Sequence, residues 1–276
     1  MKIPSLSLRW IDYAGYEMRL PGGKTILLDP CLNLEKEEDA DRFYTHGADY
    51  IILSHTHYDH TKDIKTLVKK YNPKIIVGAM SAVSLAESFA INLDNLYPVY
   101  PSEKYCFDDF DLKVYRGKHK FRKNVQTWND REYFRKFPEA HIQDNMFGSI
   151  EYMDYVITTR ENVRMFVSGG GITDDTFHNL SRELEEERPN ILFKQTTSKV
   201  TPEEYAELIR GYHAQLVFPL HQDGLEKASG MSLDAYFGRV NSALQERNCP
   251  ARAVNPKQHG WYRISTWLEE SEEADG

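Results

Sequence analysis

The chain has 276 residues, of which 41% are hydrophobic, an ordinary globular composition that excludes pervasive disorder. The formal net charge of -8 argues against general nucleic-acid or acidic-membrane binding. No apolar run approaches the roughly 18 residues of a membrane helix, "MKIPSLSLRW" lacks the apolar middle of a secretory signal, and the three scattered cysteines (Cys31, Cys106, Cys249) show no CxxC spacing. A reducing, cytoplasmic setting is the expectation, without a disulfide framework or a thiolate metal site.

In chain order, "LSLRWIDYAGYEMRL" and "KTILLDP" read as two strands joined at the turn "PGGK". "DYIILSH" is a third strand, apolar throughout and so covered on both faces. "TKDIKTLVKKYN" has helical spacing at Ile64, Leu67, Val68 and Tyr71 and stops before Pro73. "KIIVG" is a strand and "SAVSLAESFAI" a helix capped by Ser81. Strands follow near 96–100, 105–107 and 111–116. Residues 116–137 then carry eight basic and two acidic side chains with aromatics between them.

"FGSIEYMDYVI" and "NVRMFVSGG" read as paired strands, "TDDTFHNLSRELEEE" as a helix and "NILFKQ" as a strand. "TPEEYAELIRGYH" is a helix with Thr201 as N-cap, Pro202 at its first position and Glu204 closing a capping box. "QLVFPLH" is a buried strand, 231–246 a helix, and "ARAV…WYRIS" a hairpin-like end. The last ten residues, "WLEESEEADG", hold five acids and read as a frayed tail. Strand hairpins followed by strand–helix alternation occur twice, and no Pro/Gly/Ser linker divides them. The expected class is α/β: an αββα sandwich of two sheets with helices outside, one domain over 1–266 with the basic insertion at 116–137, and then the tail.

The chemistry concentrates in "ILSHTHYDHTKD". On extended backbone, residues two apart share a side, so His55, His57 and Asp59 face one way, and His60 at the next helix start turns toward them. Imidazole suits zinc, manganese and similar divalent ions, and a carboxylate compensates their charge. Solvated loop histidines or a helix-capping aspartate are the alternative reading. Three histidines and an aspartate within six positions behind a buried strand favour a metal.

"SHTHYDH" resembles the HxHxDH signature of the metallo-β-lactamase superfamily, whose αββα sandwich has the layering just described. "GGKTILLDP" is similar to its early strand ending in aspartate, here Asp29. "NMFGSIEY…NVRMFVSGG" resembles its later paired strands and "LVFPLH" its closing histidine strand. The opening is most similar to the ascorbate-6-phosphate lactonase-like branch. The resemblance implies a hydrolase with one or two divalent ions, zinc or manganese, in two positions. His55 and His57 with His119 would hold one; Asp59 and His60 with His221 would hold the other. Asp29 would accept a ligand histidine's N–H, or be simply a turn aspartate before Pro30. His141, His178, His213 and His259 are expected outside the centre.

One departure concerns the superfamily's Ser-Gly-Asp, whose aspartate bridges the two ions. Here "VSGGGITDD" places Gly170 at that position. Cations about 3.5–4 Å apart repel, and a bridging anion makes the pair tolerable. Three outcomes stay open: Asp174 or Asp175 replaces the bridge, one ion suffices, or turnover is lost and the pocket only binds. In the hydrolase reading, a bound cation takes water from a pKa of about 15.7 toward about 7, and the resulting hydroxide attacks an ester, lactone, amide or phosphodiester. Asp59 is a ligand that also orients the nucleophile. Lys118, Lys120, Arg122 and Lys123 would draw in a small anionic substrate; a solvated loop or a homo-oligomer contact is the alternative. A nuclease or cyclic-nucleotide phosphodiesterase on the same fold is the second reading, and a non-catalytic binding protein the third.

Overall fold

The computed structural model describes residues 5–32, 34, 36–117, 151–168, 180, 182–196 and 200–265. β1 (Ser5–Trp10), β2 (Tyr16–Arg19) and β3 (Thr25–Leu28) form an antiparallel meander. β4 (Tyr50–Ile52), β5 (Lys74–Gly78) and β6 (Leu96–Val99) then join in parallel. Between them run α1 (Glu37–Phe43), α2 (Tyr58–Thr61), α3 (Ile64–Tyr71) and α4 (Ala79–Phe89).

The second half repeats the scheme. β7 (Lys104–Cys106), β8 (Phe110–Arg116), β9 (Met153–Thr159) and β10 (Arg164–Ser168) are antiparallel neighbours. β11 (Ile191–Gln195), β12 (Leu216–Leu220) and β13 (Arg252–Ala253) continue in parallel, with α5 (Pro202–Arg210), α6 (Leu225–Ser229) and α7 (Leu233–Glu246) interleaved. β14 (Tyr262–Ser265) crosses back to pair with β1. The two seven-stranded sheets thus run β14-β1-β2-β3-β4-β5-β6 and β13-β12-β11-β10-β9-β8-β7.

The apolar strands are explained by alternation. Ile26, Leu28, Ile52 and Ile76 face the core between the sheets, where they meet Leu112, Tyr155, Val167 and Phe193. Leu27, Ile51, Ile75 and Val77 point outward under α1, α3 and α4. Leu192, Val217 and Phe166 do the same under α5 and α7. Each such side chain contributes about 1.5–3 kcal/mol by burial. Polar ties join the two sheets near their shared end. The Tyr16 hydroxyl donates to the Pro219 carbonyl at 2.7 Å and the Tyr155 hydroxyl to the Leu53 carbonyl at 2.8 Å.

Several elements differ from the sequence reading. The first expected strand is two, because the chain reverses through 11–15: Ile11 N–H donates to the Gly15 carbonyl at 2.8 Å and Tyr13 sits at φ 44°. The helix expected over 61–72 is α3, which starts at Ile64 and is preceded by the separate short helix α2. Ser81 does not cap α4, whose N-cap is Gly78; instead Glu151 accepts from the Ser81 amide at 3.0 Å and from its hydroxyl at 3.1 Å. The helix expected at 231–246 starts at Leu233, with Ser232 as its cap. β13 and β14 are not a hairpin but lie in different sheets. The capping box at Thr201 and Glu204 is present. Of the helix expected over 173–187, residues 180 and 182–187 are described, helical at 180 and 182–186.

Gly15 is where backbone leaves no room. An added Cβ would lie 2.9 Å from the Asp12 carbonyl oxygen and 3.1 Å from that of Asp29. Gly15→Ala is expected to cost about 1–3 kcal/mol in urea unfolding. Gly238→Ala, in a helix with open space around it, is expected to gain up to about 1 kcal/mol.

Candidate metal centre

The cluster forms at the carboxyl ends of β3, β4 and β12, where open α/β sheets place their ligands. β4 stops at Ile52, and His57, itself extended, sits at the N-cap of α2 without a side-chain cap bond. Asp59 therefore projects from the first helical turn and not from extended chain as expected, whereas His60 lies in that first turn as expected. His55 Nε2 and His57 Nδ1 lie 2.9 Å apart. His60 Nε2 lies 3.2 Å from His221 Nε2, although 161 positions separate the two residues. The Asp59 carboxylate stands 3.9 Å from His60 Nε2 and 4.0 Å from His221 Nε2.

Backbone strain helps to build this arrangement. Asp29 has φ 42° and His221 φ 58°, both left-handed, each costing on the order of 1–3 kcal/mol. The His221 amide donates to the Tyr13 carbonyl at 3.1 Å, which ties β12's end to the 11–15 loop. Asp29 is fully buried and accepts three bonds: from the Ser54 amide at 2.8 Å, the Ser54 hydroxyl at 2.6 Å and His60 Nδ1 at 2.9 Å. With the Nδ1 proton directed at Asp29, His60 presents its Nε2 lone pair to His221 and Asp59. Burial opposes charging His60, but Asp29 and then Asp59 outweigh it and lift its pKa above the ordinary value.

The donor set fits a divalent cation. Imidazole arms of about 2.0–2.1 Å at tetrahedral angles put neighbouring donor atoms roughly 3.3–3.4 Å apart, close to the His60–His221 spacing. One ligand-capable atom from each of Asp59, His60 and His221 lies within 4.8 Å of the others. Two more carboxylates stand nearby. Asp223 Oδ1 lies 3.9 Å from His221 Nδ1. Burial, then Asp12 and Asp59, raise the Asp223 pKa, and burial raises that of Asp12. Such a concentration of carboxylate is relieved by a cation.

The structure thus brings together His55, His57, Asp59, His60, His221 and Asp29. His119, Gly170, Asp174, Asp175, Lys118, Lys120, Arg122 and Lys123 lie outside the described residues, as do His141 and His178. His213 follows α5 at φ 54°, and the His259 amide donates to the Trp10 carbonyl at 2.9 Å.

Sequence reasoning missed two features. The Tyr152 ring packs on His55 with centroids 4.5 Å apart; nothing in "IEYMDY" marks it. Lys194 is buried on the outer face of its sheet, bonded to the Ser168 hydroxyl at 2.9 Å, and Ser168 in turn reaches Asp154 Oδ2 at 3.3 Å. A lysine inside "NILFKQ" was the visible signal for this network.

The fold has close relatives among solved structures. A metallo hydrolase of the archaeon Ignicoccus hospitalis superposes with a TM-score of 0.67 at 11% identity, covering 95% of this chain and 100% of that one. An isothiocyanate hydrolase from Delia radicum gut bacteria does so with 0.63 at 16% identity, covering 95% and 100%. Residues 24–128 match the family model of the beta-lactamase superfamily domain. A Sulfurisphaera tokodaii protein described as a UPF0173 metal-dependent hydrolase is 30% identical over 115 residues, 41% of this chain and 50% of that relative. The match therefore spans about half of that relative's length. Residues 24–128, which hold Asp29, His55, His57, Asp59 and His60, are thus similar to the beta-lactamase superfamily domain, and the fold is shared with these solved hydrolases.

Asp29→Asn is expected to weaken zinc binding by about 10–100-fold in calorimetric titration, by releasing the His60 ring. Burial drives the Lys194 ammonium down to about 8, against 10.5 for an exposed lysine, with Asp154 partly opposing. Between those values the folded protein sheds a proton that the unfolded chain keeps, so this group's contribution to stability rises with pH. Urea midpoints of the wild type are expected to climb from pH 8 to 10.5 relative to the double variant Lys194→Met, Asp154→Asn.

Proposed function

We propose that the chain is a metal-dependent hydrolase acting on an ester, lactone or phosphodiester bond of a small anionic substrate. The observation that carries this reading is the meeting of His60 Nε2 and His221 Nε2 at 3.2 Å beside Asp59, with Asp29 fixing the other nitrogen of His60. His55 and His57, with His119, would hold one zinc or manganese ion; Asp59, His60 and His221 would hold a second. A divalent cation supplies Lewis acidity and acidifies water near neutral pH.

The chain's own residues do the rest. Asp59, with its side chain 24% exposed, is placed to orient the attacking water. Asp29 keeps the His60 proton on Nδ1. Lys118, Lys120, Arg122 and Lys123 would attract the substrate's anionic group, and Asp174 would supply the carboxylate absent at Gly170. The lactonase-like branch is one instance of this chemistry.

Cys31 is buried, and burial, then Asp63 and Asp59, hold its thiol up to about 12. Among the described residues no helix is long and apolar enough to cross a membrane. A cytoplasmic setting and a single domain over 1–266 complete the reading.

The purified protein is expected to hold at least one equivalent of divalent metal by elemental analysis, and to turn over a member of a lactone and phosphodiester panel with added zinc or manganese. His57→Ala is expected to abolish metal uptake and His178→Ala to leave it unchanged. Less than one equivalent and no turnover would make the protein a binding module instead.

A further inference from the structure

We propose that Tyr152 is a positioning residue of this metal centre: its ring, fitted against Gly117, holds the His55 imidazole in place. The inference rests on the metal-centre reading above. A bare imidazole on extended chain is free about two side-chain bonds, and a ligand must be held within about 0.5 Å of its working place. For His60 that constraint is Asp29. For His55, the Ser54 hydroxyl lies 3.0 Å from Nδ1, and aromatic rings pack against the imidazole. The ring of His55 meets those of His60 at 3.8 Å, Tyr152 at 4.5 Å and His57 at 4.6 Å between centroids. Tyr152 is the one member of that group outside the ligand motif. Its ring lies tilted at 34° to that of His55 with centroids 4.5 Å apart, so it limits how far the imidazole can turn.

Tyr152 is itself pinned on both sides. The amide of the next residue, Met153, donates to the Ser54 carbonyl at 2.9 Å, immediately before His55. The Gly117 amide donates to the Tyr152 carbonyl at 2.8 Å. Gly117 has no space for a side chain. An added Cβ would lie 2.6 Å from Tyr152 Cδ1, 3.0 Å from Asp154 Oδ1 and 3.2 Å from the Tyr152 carbonyl oxygen. The glycine is therefore the complement of the tyrosine ring, and a methyl group there would displace that ring from its present place. It is the ring of Tyr152 that meets the imidazole of His55.

The test uses cobalt(II) alone as the probe, titrated into metal-free full-length protein and followed by visible absorption. Tyr152→Phe, which keeps the ring, is expected to bind within about twofold of wild type, whereas Tyr152→Leu and Gly117→Ala lose about 10–100-fold, the range seen when a ligand's support is removed. Gly117→Ala matters most, since residue 117 is not itself a proposed ligand. A second readout needs no metal: the ring-to-ring nuclear Overhauser contact between His55 and His57 is expected to persist in Tyr152→Phe and vanish in the other two, with His221 resonances unmoved. Wild-type affinity and an intact His55–His57 contact in Tyr152→Leu and Gly117→Ala would overturn the inference. Failure of the wild type to take up any cobalt would overturn the metal-centre reading instead, and the metal-free spectra would still decide the part of Tyr152.

Discussion

The centre depends on one buried carboxylate. Asp29 sits where β3 ends, removed from water, and an isolated charge there would be costly. It is kept by three donors, two from Ser54 and one from His60. Those bonds act in both directions. They stabilise the anion, and they lock together the end of β4, the start of α2 and the His60 ring. The left-handed backbone at Asp29 persists because the surrounding contacts leave it no alternative. Without this residue, the His60 ring would lose the charged partner that fixes its Nδ1 proton.

The donors come from both halves of the chain, and the bonds between the sheets explain how they meet. Tyr16 to Pro219 and Tyr155 to Leu53 link the halves next to the very strand ends that carry His55 and His221. The matched superfamily stretch, 24–128, includes Asp29 and the histidine hexad but not His221. What that stretch provides is half of a site whose other half is delivered by a strand almost a hundred positions later. The acids around it, Asp12 and Asp223, lie in loops that the same contacts gather.

Much of this was legible in the residues. Continuous apolar strands announced sheets covered on both faces, and two rounds of hairpins followed by alternation announced two sheets. The hexad was readable because its members are adjacent. His221 was readable because it closes an apolar strand. What escaped depends on distant partners. Ser81 has the chemistry of a helix cap, but Glu151, seventy residues away, takes that place. The break at 11–15 comes from a left-handed Tyr13 and the crowding at Gly15, neither of which leaves a periodic trace. Tyr152 and the Lys194–Ser168–Asp154 network arise from contacts across strands, and local pattern does not encode them.

The strands at the end of the described chain carry a wider consequence. Arg252–Ala253 extends one sheet, and Tyr262–Ser265, nine positions later, extends the other. A single short stretch thus shields two flanks that would otherwise present unpaired amides and carbonyls. Losing it would bare β12 and β1 at once, in a molecule whose strands are apolar on both sides. Such flanks invite pairing between molecules, so damage to this stretch would show itself as aggregation even with every proposed metal ligand intact.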